Sequence, residues 1–228
     1  MRRQGADREG AGDAALTAEE ILDAAERVLR RFGPAKATVV DVARALGVSH
    51  GSVYRHFPSK AALRAAVVER WLVRVSAPLA AIAAEPGPAL PRLERWLRLL
   101  IETKRRKVLD DPEMFAAYHA LVLDAPPAAV TQHIAILVGQ IARILADGVA
   151  AGEIAVADGA DAAAVGAAAR AVLDATGRFH NPTHAGEWSS PAIAAEFGAV
   201  WRLMAAGLRA GGTNAQGTLH ADGSATAR

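Results

Sequence analysis

The residues whose types and spacing could do chemistry lie mainly between Thr38 and Leu63, in TVVDVARALGVSHGSVYRHFPSKAAL. His50, Gly51, Ser52, Tyr54, Arg55 and His56 crowd together there, and no acid occurs between Asp41 and Glu69. Side chains of this kind donate to phosphate oxygens and read base edges, and an acid-free helix carries no charge for a phosphate to repel. Gly51 and Ser52 are small enough for a backbone to come close to a base pair. A second cluster, Lys104-Arg105-Arg106-Lys107, is the densest positive run in the chain. It suits an anionic effector or a phosphate. It equally suits a solvated helix end, because positive charge at a helix C-terminus is favourable by itself.

The elements that must position these residues are all helical. Hydrophobic residues make up 52% of the 228, aromatics only 5%, and alanine dominates the apolar set. Alanine is the best helix former and a poor strand residue. The absence of cysteine excludes disulfides, thiolate metal sites and a cysteine nucleophile, and it fits a reducing cytoplasm. No run of eighteen apolar residues lacks charges, so no membrane partner is expected. The net charge of +2 is uneven: residues 1–75 hold 13 Lys/Arg against 9 Asp/Glu, whereas the remainder is slightly acidic. A basic N-terminal portion is the electrostatic footprint of a small DNA-binding module, although many solvated surfaces would count the same.

Thr17-Ala18-Glu19-Glu20 reads as a capping box, followed by Ile21, Ala24, Ala25, Val28, Leu29 and Phe32 at helical spacing until Gly33-Pro34 stops the helix. Thr38 caps a short helix to Leu46, and Gly47 turns the chain into another from Ser49 to Phe57, where Pro58 forbids continuation. Two short helices joined by a glycine-containing turn make a helix-turn-helix. Ser59 caps a longer helix from Lys60 to about Ala81. Further helices are predicted over Ala89–Leu109, Pro112–Asp124, Pro127–Ala151, Asp158–Phe179 and Pro191–Ala210. Long helices on short turns read as a bundle. The predicted fold class is therefore all-α: an N-terminal three-helix domain with a helix-turn-helix, joined to a larger C-terminal helical bundle. The expected divisions are a disordered arm over 1–15, a DNA-binding domain over 16–62, a ligand-binding and dimerisation domain over 63–211, and a disordered tail over 212–228. In the arm, Arg2, Arg3 and Arg8 suit either phosphate contact or plain solvation.

The segment Ile21–Leu63 resembles the DNA-binding domain of TetR-family regulators. The resemblance rests on Phe32-Gly33, Thr38, Ala43, Gly47-Val48-Ser49, Gly51, Tyr54, His56-Phe57, Ser59-Lys60 and Leu63, in order; Ser52 stands where Thr is common and keeps the hydroxyl. It implies that Thr38, Ser52, Tyr54, His56 and Lys60 contact phosphates. Val40, Ser49, His50, Gly51 and Arg55 fall where base-edge contacts are made. Phe57 reads as core. The resemblance further implies a homodimer formed by the last two long helices, cytoplasmic localisation, and a repressor of a near-palindromic operator released by a small-molecule or metal effector. An activator, or a ligand-independent DNA-binding protein of the same fold, is the alternative.

Lys104–Val122 and Arg178–Trp188 resemble a subgroup of the same family and direct attention to His119, His180 and His184. Three imidazoles near Asp124 or His133 could hold a divalent metal; the same histidines also read as helix-end and turn residues, with Asn181-Pro182 as a cap. Trp96, Met114, Phe115, Tyr118, Ile141 and Trp188 are candidate linings of an effector pocket, and residues of these types also build ordinary cores. No cofactor is required. A metal-dependent enzyme is disfavoured, because no serine or carboxylate forms a recognisable catalytic arrangement with the histidines.

Overall fold

A computed structural model describes residues 16–124, 127–157 and 159–209, with backbone alone at 124, 127 and 128. The expected arm and the whole of the expected tail lie outside the described residues. The order is α1 (Ala18–Lys36), α2 (Val39–Leu46), α3 (His50–His56), α4 (Lys60–Ala84), α5 (Ala89–Asp110), α6 (Pro112–Asp124), α7 (Pro127–Ala150), α8 (Ala162–Ala175), α9 (Gly177–His180), a 3-10 helix (Pro182–Glu187) and α10 (Ile193–Leu208). No strand forms among the described residues; one isolated antiparallel bridge pairs Ile154 with Arg209.

Capping explains why the first helices begin where they do. Thr17 and Thr38 each accept from the amide three residues on, while Glu20 and Asp41 reach back to the cap. Ser49 and Ser59 accept from Ser52 and Ala62 amides at 3.1 and 3.0 Å. Gly47 turns α2 into α3 at φ 69°, a left-handed conformation that costs glycine nothing. Gly33 differs from expectation. It does not end α1 but kinks it, at φ 72° and ψ 164°, and Pro34–Lys36 add a further helical turn. The Arg64 guanidinium donates to the Pro34 carbonyl, which is left open where the helix ends.

Two hydrophobic clusters organise the molecule. The first joins α1, α2, α3 and the start of α4 to Met114, Phe115, Ala117, Tyr118 and Leu121 of α6 and to Trp188. The second joins the later half of α4 to α5, α7, α8, α9 and α10. Helix α4 thus belongs to both, and α6 packs directly on α1. Over Ala129–Ala150, α7 is long and apolar enough to cross a membrane despite Arg143 and Asp147, a property hidden from a count of uninterrupted runs. Here its Leu137, Ile141, Ile144 and Leu145 are buried against α4, α5 and α8.

The predicted helix Asp158–Phe179 is shorter and broken. Asp161 is its cap, accepting from the Ala164 amide at 2.8 Å. Thr176 ends it, because its hydroxyl donates to the Val172 and Leu173 carbonyls and Gly177 follows.

Candidate nucleic-acid interface and effector cavity

Helix α3 packs through one residue, the fully buried Val53, and shows the rest of its surface to solvent. His50, Gly51, Tyr54, Arg55 and His56 are exposed, and Ser52 is half-buried. The Ser49 and Ser52 hydroxyls lie 3.0 Å apart, and Arg55 donates to the Ser52 oxygen at 3.3 Å. The His50 and Tyr54 rings meet edge-on at 6.3 Å. Thr38 and Val40 are exposed at the start of α2, Ser49 at the start of α3, and Lys60 is half-buried at the start of α4. The ten residues expected to touch DNA therefore lie at the starts of three helices and along the open side of one of them. Phe57 is half-buried against the first cluster, as its reading as core anticipated.

The face is held from behind by charge as well as packing. Arg70 of α4 contacts Glu19, Asp23 and Glu26 of α1 at 3.0, 2.8 and 2.5 Å, and Arg74 adds a second bond to Glu26. Arg30 of α1 pairs with Asp111, between α5 and α6, at 2.8 Å. Asp41, the last acid before α3 in the chain, is committed to Thr38 and Arg44, and the Thr38 bonds hold its carboxyl below the usual range.

A cavity of about 400 Å³ lies on the far side of α4. Trp71 and Leu72 of α4, Lys104 of α5, Phe115 and His119 of α6, His133 and Leu137 of α7, and Leu173 and His180 of α8 and α9 line it. Of the six expected pocket residues only Phe115 is on its wall. Trp96, Met114, Tyr118 and Ile141 are core: the Trp96 indole donates to Gln140 at 3.0 Å, and Tyr118 stacks on Trp71 at 4.9 Å. Trp188 borders a smaller hollow of about 180 Å³ and donates to the Arg178 carbonyl. Aromatic size drew these residues into the packing, where they bury most area.

Two of the three expected metal ligands, His119 and His180, do share the large cavity, together with His133. His184 does not join them: the 3-10 helix carries it to the surface, where Nδ1 meets Glu187 at 2.8 Å. Among the described residues no three His, Asp or Glu side chains are grouped as a metal site, and the Asp124 side chain lies outside those residues. His180 Nε2 donates to the Leu173 carbonyl at 3.2 Å. Burial drives both His133 and His180 down to about 4, so both rings are neutral at physiological pH.

Lys104 was not an expected pocket residue, yet a signal existed. It continues the stripe Leu93, Trp96, Leu97, Leu100 at helical spacing, so the register of α5 turns it inward. The helix-end reading of the basic run holds for exposed Arg106 but not for Lys104, which is 6% exposed. Its ammonium sits 4.9 Å from the centre of the Trp71 ring.

Residues 21–67 match the family described as bacterial regulatory proteins, tetR family, and residues 89–201 match the tetracyclin repressor-like C-terminal domain. The chain belongs to the TetR family. An uncharacterized HTH-type transcriptional regulator of Mycobacterium tuberculosis is 39% identical over 102 residues, 44% of this chain and 48% of that one. The HTH-type transcriptional regulator TtgR of Pseudomonas putida is 39% identical over 57 residues, 25% of this chain and 27% of that one. The chain thus spans about half the length, or less, of these curated relatives. SmeT, the repressor of the Stenotrophomonas maltophilia multidrug efflux pump SmeDEF, shares the fold at 21% identity with TM-score 0.61, covering 88% of this chain and 94% of that one. A chain solved in work on the control of antibiotic production by bacterial hormones is 28% identical, with TM-score 0.57, covering 84% of this chain and 97% of that one.

In this TetR-family chain two helices link the cavity to the DNA-binding unit. Helix α4 runs from Lys60 at the candidate interface to Trp71 and Leu72 at the cavity. Helix α6 lines the cavity with Phe115 and His119 and packs on α1.

Proposed function

We propose that the chain is a DNA-binding transcriptional repressor that works as a homodimer in the cytoplasm and leaves its operator when a small molecule occupies the cavity. The observation that carries this reading is the exposed, acid-free face of α3, flanked by Thr38 and Lys60 and held on α2 and, through Val53, on the first hydrophobic cluster. Thr38, Ser52, Tyr54, His56 and Lys60 are assigned to phosphates, and Val40, Ser49, His50, Gly51 and Arg55 to base edges. Residues 16–62 form the DNA-binding unit and 63–211 the unit that binds effector and partner copy.

The exposed surface of α8 and α10 supports a dimer. Ala163, Ala167 and Ala171 repeat every fourth residue on the open side of α8, and Leu203 of α10 is 77% exposed beside Ala195 and Ala199. The opposite face of α8 is not available for pairing, because Val165, Ala169, Val172 and Leu173 are buried in the chain's own core. Pairing through the outer face would set two α3 helices about 34 Å apart, one turn of duplex, hence a near-palindromic site.

Occupying the cavity separates walls formed by α4 and α6. Both are attached to α1, so the ligand favours a different setting of the DNA-binding unit by whatever difference in affinity it has for the two arrangements. An electrophoretic shift with a duplex carrying the protein's own upstream region tests the reading: one retarded complex with two chains per site is expected. No specific retention at low salt would overturn it.

A further inference from the structure

We infer that the cavity is built for an apolar molecule bearing a single anionic group, a carboxylate held by the Lys104 ammonium with the His133 imidazole as its second contact. The inference rests on the effector reading of this cavity and names its ligand class.

Lys104 is 6% exposed, and no described carboxylate lies within ion-pair distance of it. Its ammonium lies over the Trp71 ring, which offsets part of the cost of burying a charge. Lysines are almost never fully buried unless paired. Burial and the nearby Lys107 charge push Lys104 down to about 8, so at neutral pH it is still mostly protonated. The cavity therefore holds one positive charge whose partner the described protein does not supply.

His133 is the second observation. It is 8% exposed, and neither ring nitrogen has a hydrogen-bond partner. A neutral imidazole offers one donor and one acceptor, and buried polar groups left without partners are few. His180 cannot substitute as a free donor at Nε2, because that nitrogen is engaged by the Leu173 carbonyl. The rest of the wall is largely apolar: Trp71, Leu72, Phe115, Val122, Ile134 and Leu137.

The charge balance selects a monoanion. At the rim Arg170 is already neutralised by Asp174 at 2.8 Å, so Lys104 is the one uncompensated cation among the lining residues. A phosphate monoester carries about −1.5 to −2 charges and would leave negative charge buried without a partner. A cationic ligand would meet Lys104 with no free acid on the described wall. The volume, about 400 Å³, lies within the range of small-molecule sites.

Calorimetric titration of the full chain with decanoate, decan-1-ol and decyl phosphate tests the class, the alkyl tail being chosen for the apolar wall. Decanoate is expected to bind at least tenfold more tightly than either analogue. Lys104→Met and Lys104→Gln should lose at least tenfold for decanoate while decan-1-ol binds as well as or better than before. Arg106→Met, which removes an exposed charge paired with Glu102, should change nothing. Equal affinity for decanoate and decan-1-ol, tighter decyl phosphate, a preference that survives both Lys104 variants, or no binding of any of the three would overturn the inference. Operator retention measured on the same samples separates the two levels. Decanoate bound with unchanged DNA affinity leaves the anion site standing and overturns the effector reading; DNA binding without carboxylate preference does the reverse.

Discussion

Replacing Lys104 by methionine should make the empty protein more stable, an unusual expectation for a core substitution. The ammonium titrates at about 8 rather than 10.5, chiefly because burial disfavours its charged form. At about 1.4 kcal/mol per unit, that displacement corresponds to roughly 3 kcal/mol of destabilisation at neutral pH. Methionine keeps the length and apolar stem but forfeits the attraction to the Trp71 ring, about 1 kcal/mol. A net gain of about 1–3 kcal/mol follows at pH 7. The pH dependence carries the sign. Between about 8 and 10.5 the unfolded chain holds a proton that the folded chain has released, so wild-type stability rises with pH across this window. The advantage of Lys104→Met should shrink over the same window and vanish above it. Lys107, itself pushed down mainly by burial, is present in both proteins, and burial keeps His133 and His180 neutral between pH 7 and 10 even without the Lys104 charge that helps to lower them, so the difference reports chiefly on Lys104. Urea unfolding followed by far-ultraviolet circular dichroism at pH 7 and pH 10 is the assay. A variant less stable than wild type at pH 7, or a stability gap independent of pH, would refute the claim that Lys104 is an unpaired buried cation.

Gly51→Ala should leave thermal unfolding unchanged, because an added Cβ would meet only the Ser49 oxygen at 3.6 Å, yet weaken operator binding at least tenfold by holding α3 off the base edges. Gly148→Ala should do the opposite. Its Cβ would lie 2.6 Å from both Ala89 Cβ and Ile154 Cδ1, so the α5–α7 packing must shift at a cost of about 1–3 kcal/mol, read as a lower unfolding midpoint. Thr38→Ala removes the α2 capping box and should cost about 1 kcal/mol in the same assay. Leu203→Glu places a charge on the proposed dimer face; sedimentation velocity should then report a monomer of unchanged helicity, and an intact dimer would displace that face from the interface.

The helices were legible in the sequence wherever their ends are set by local chemistry. Thr17, Thr38, Ser49 and Ser59 are caps that a short window reveals, and Asp111-Pro112 marks a true boundary. Gly33 was harder, because glycine before proline reads as a stop, and the further turn over Pro34–Lys36 has no local signal of its own. The break at Thr176 depends on a hydroxyl turning back to its own helix, which spacing does not disclose. For the cavity, the large aromatics misled: Trp96 and Tyr118 are where burial is greatest, not where space remains. Lys104 was readable from the apolar register of α5, but its place in a basic run hid that register. His119, His133 and His180 are brought together from three helices, α6, α7 and α9, with no local signature, whereas the turn that carries His184 to Glu187 follows from Asn181-Pro182.

The central claim is that α3 reads duplex DNA, and fluorescence anisotropy of the protein's own upstream duplex against a scrambled duplex, across a salt series, tests it most directly. Specific operators are typically bound about 10³-fold or more tightly than other sequences. The account predicts such a preference, with a logarithmic salt slope that falls by about two units for a dimer when Lys60→Ala removes one phosphate contact from each subunit. Equal affinity for both duplexes at every salt concentration, or a salt slope unmoved by Lys60→Ala, would contradict it.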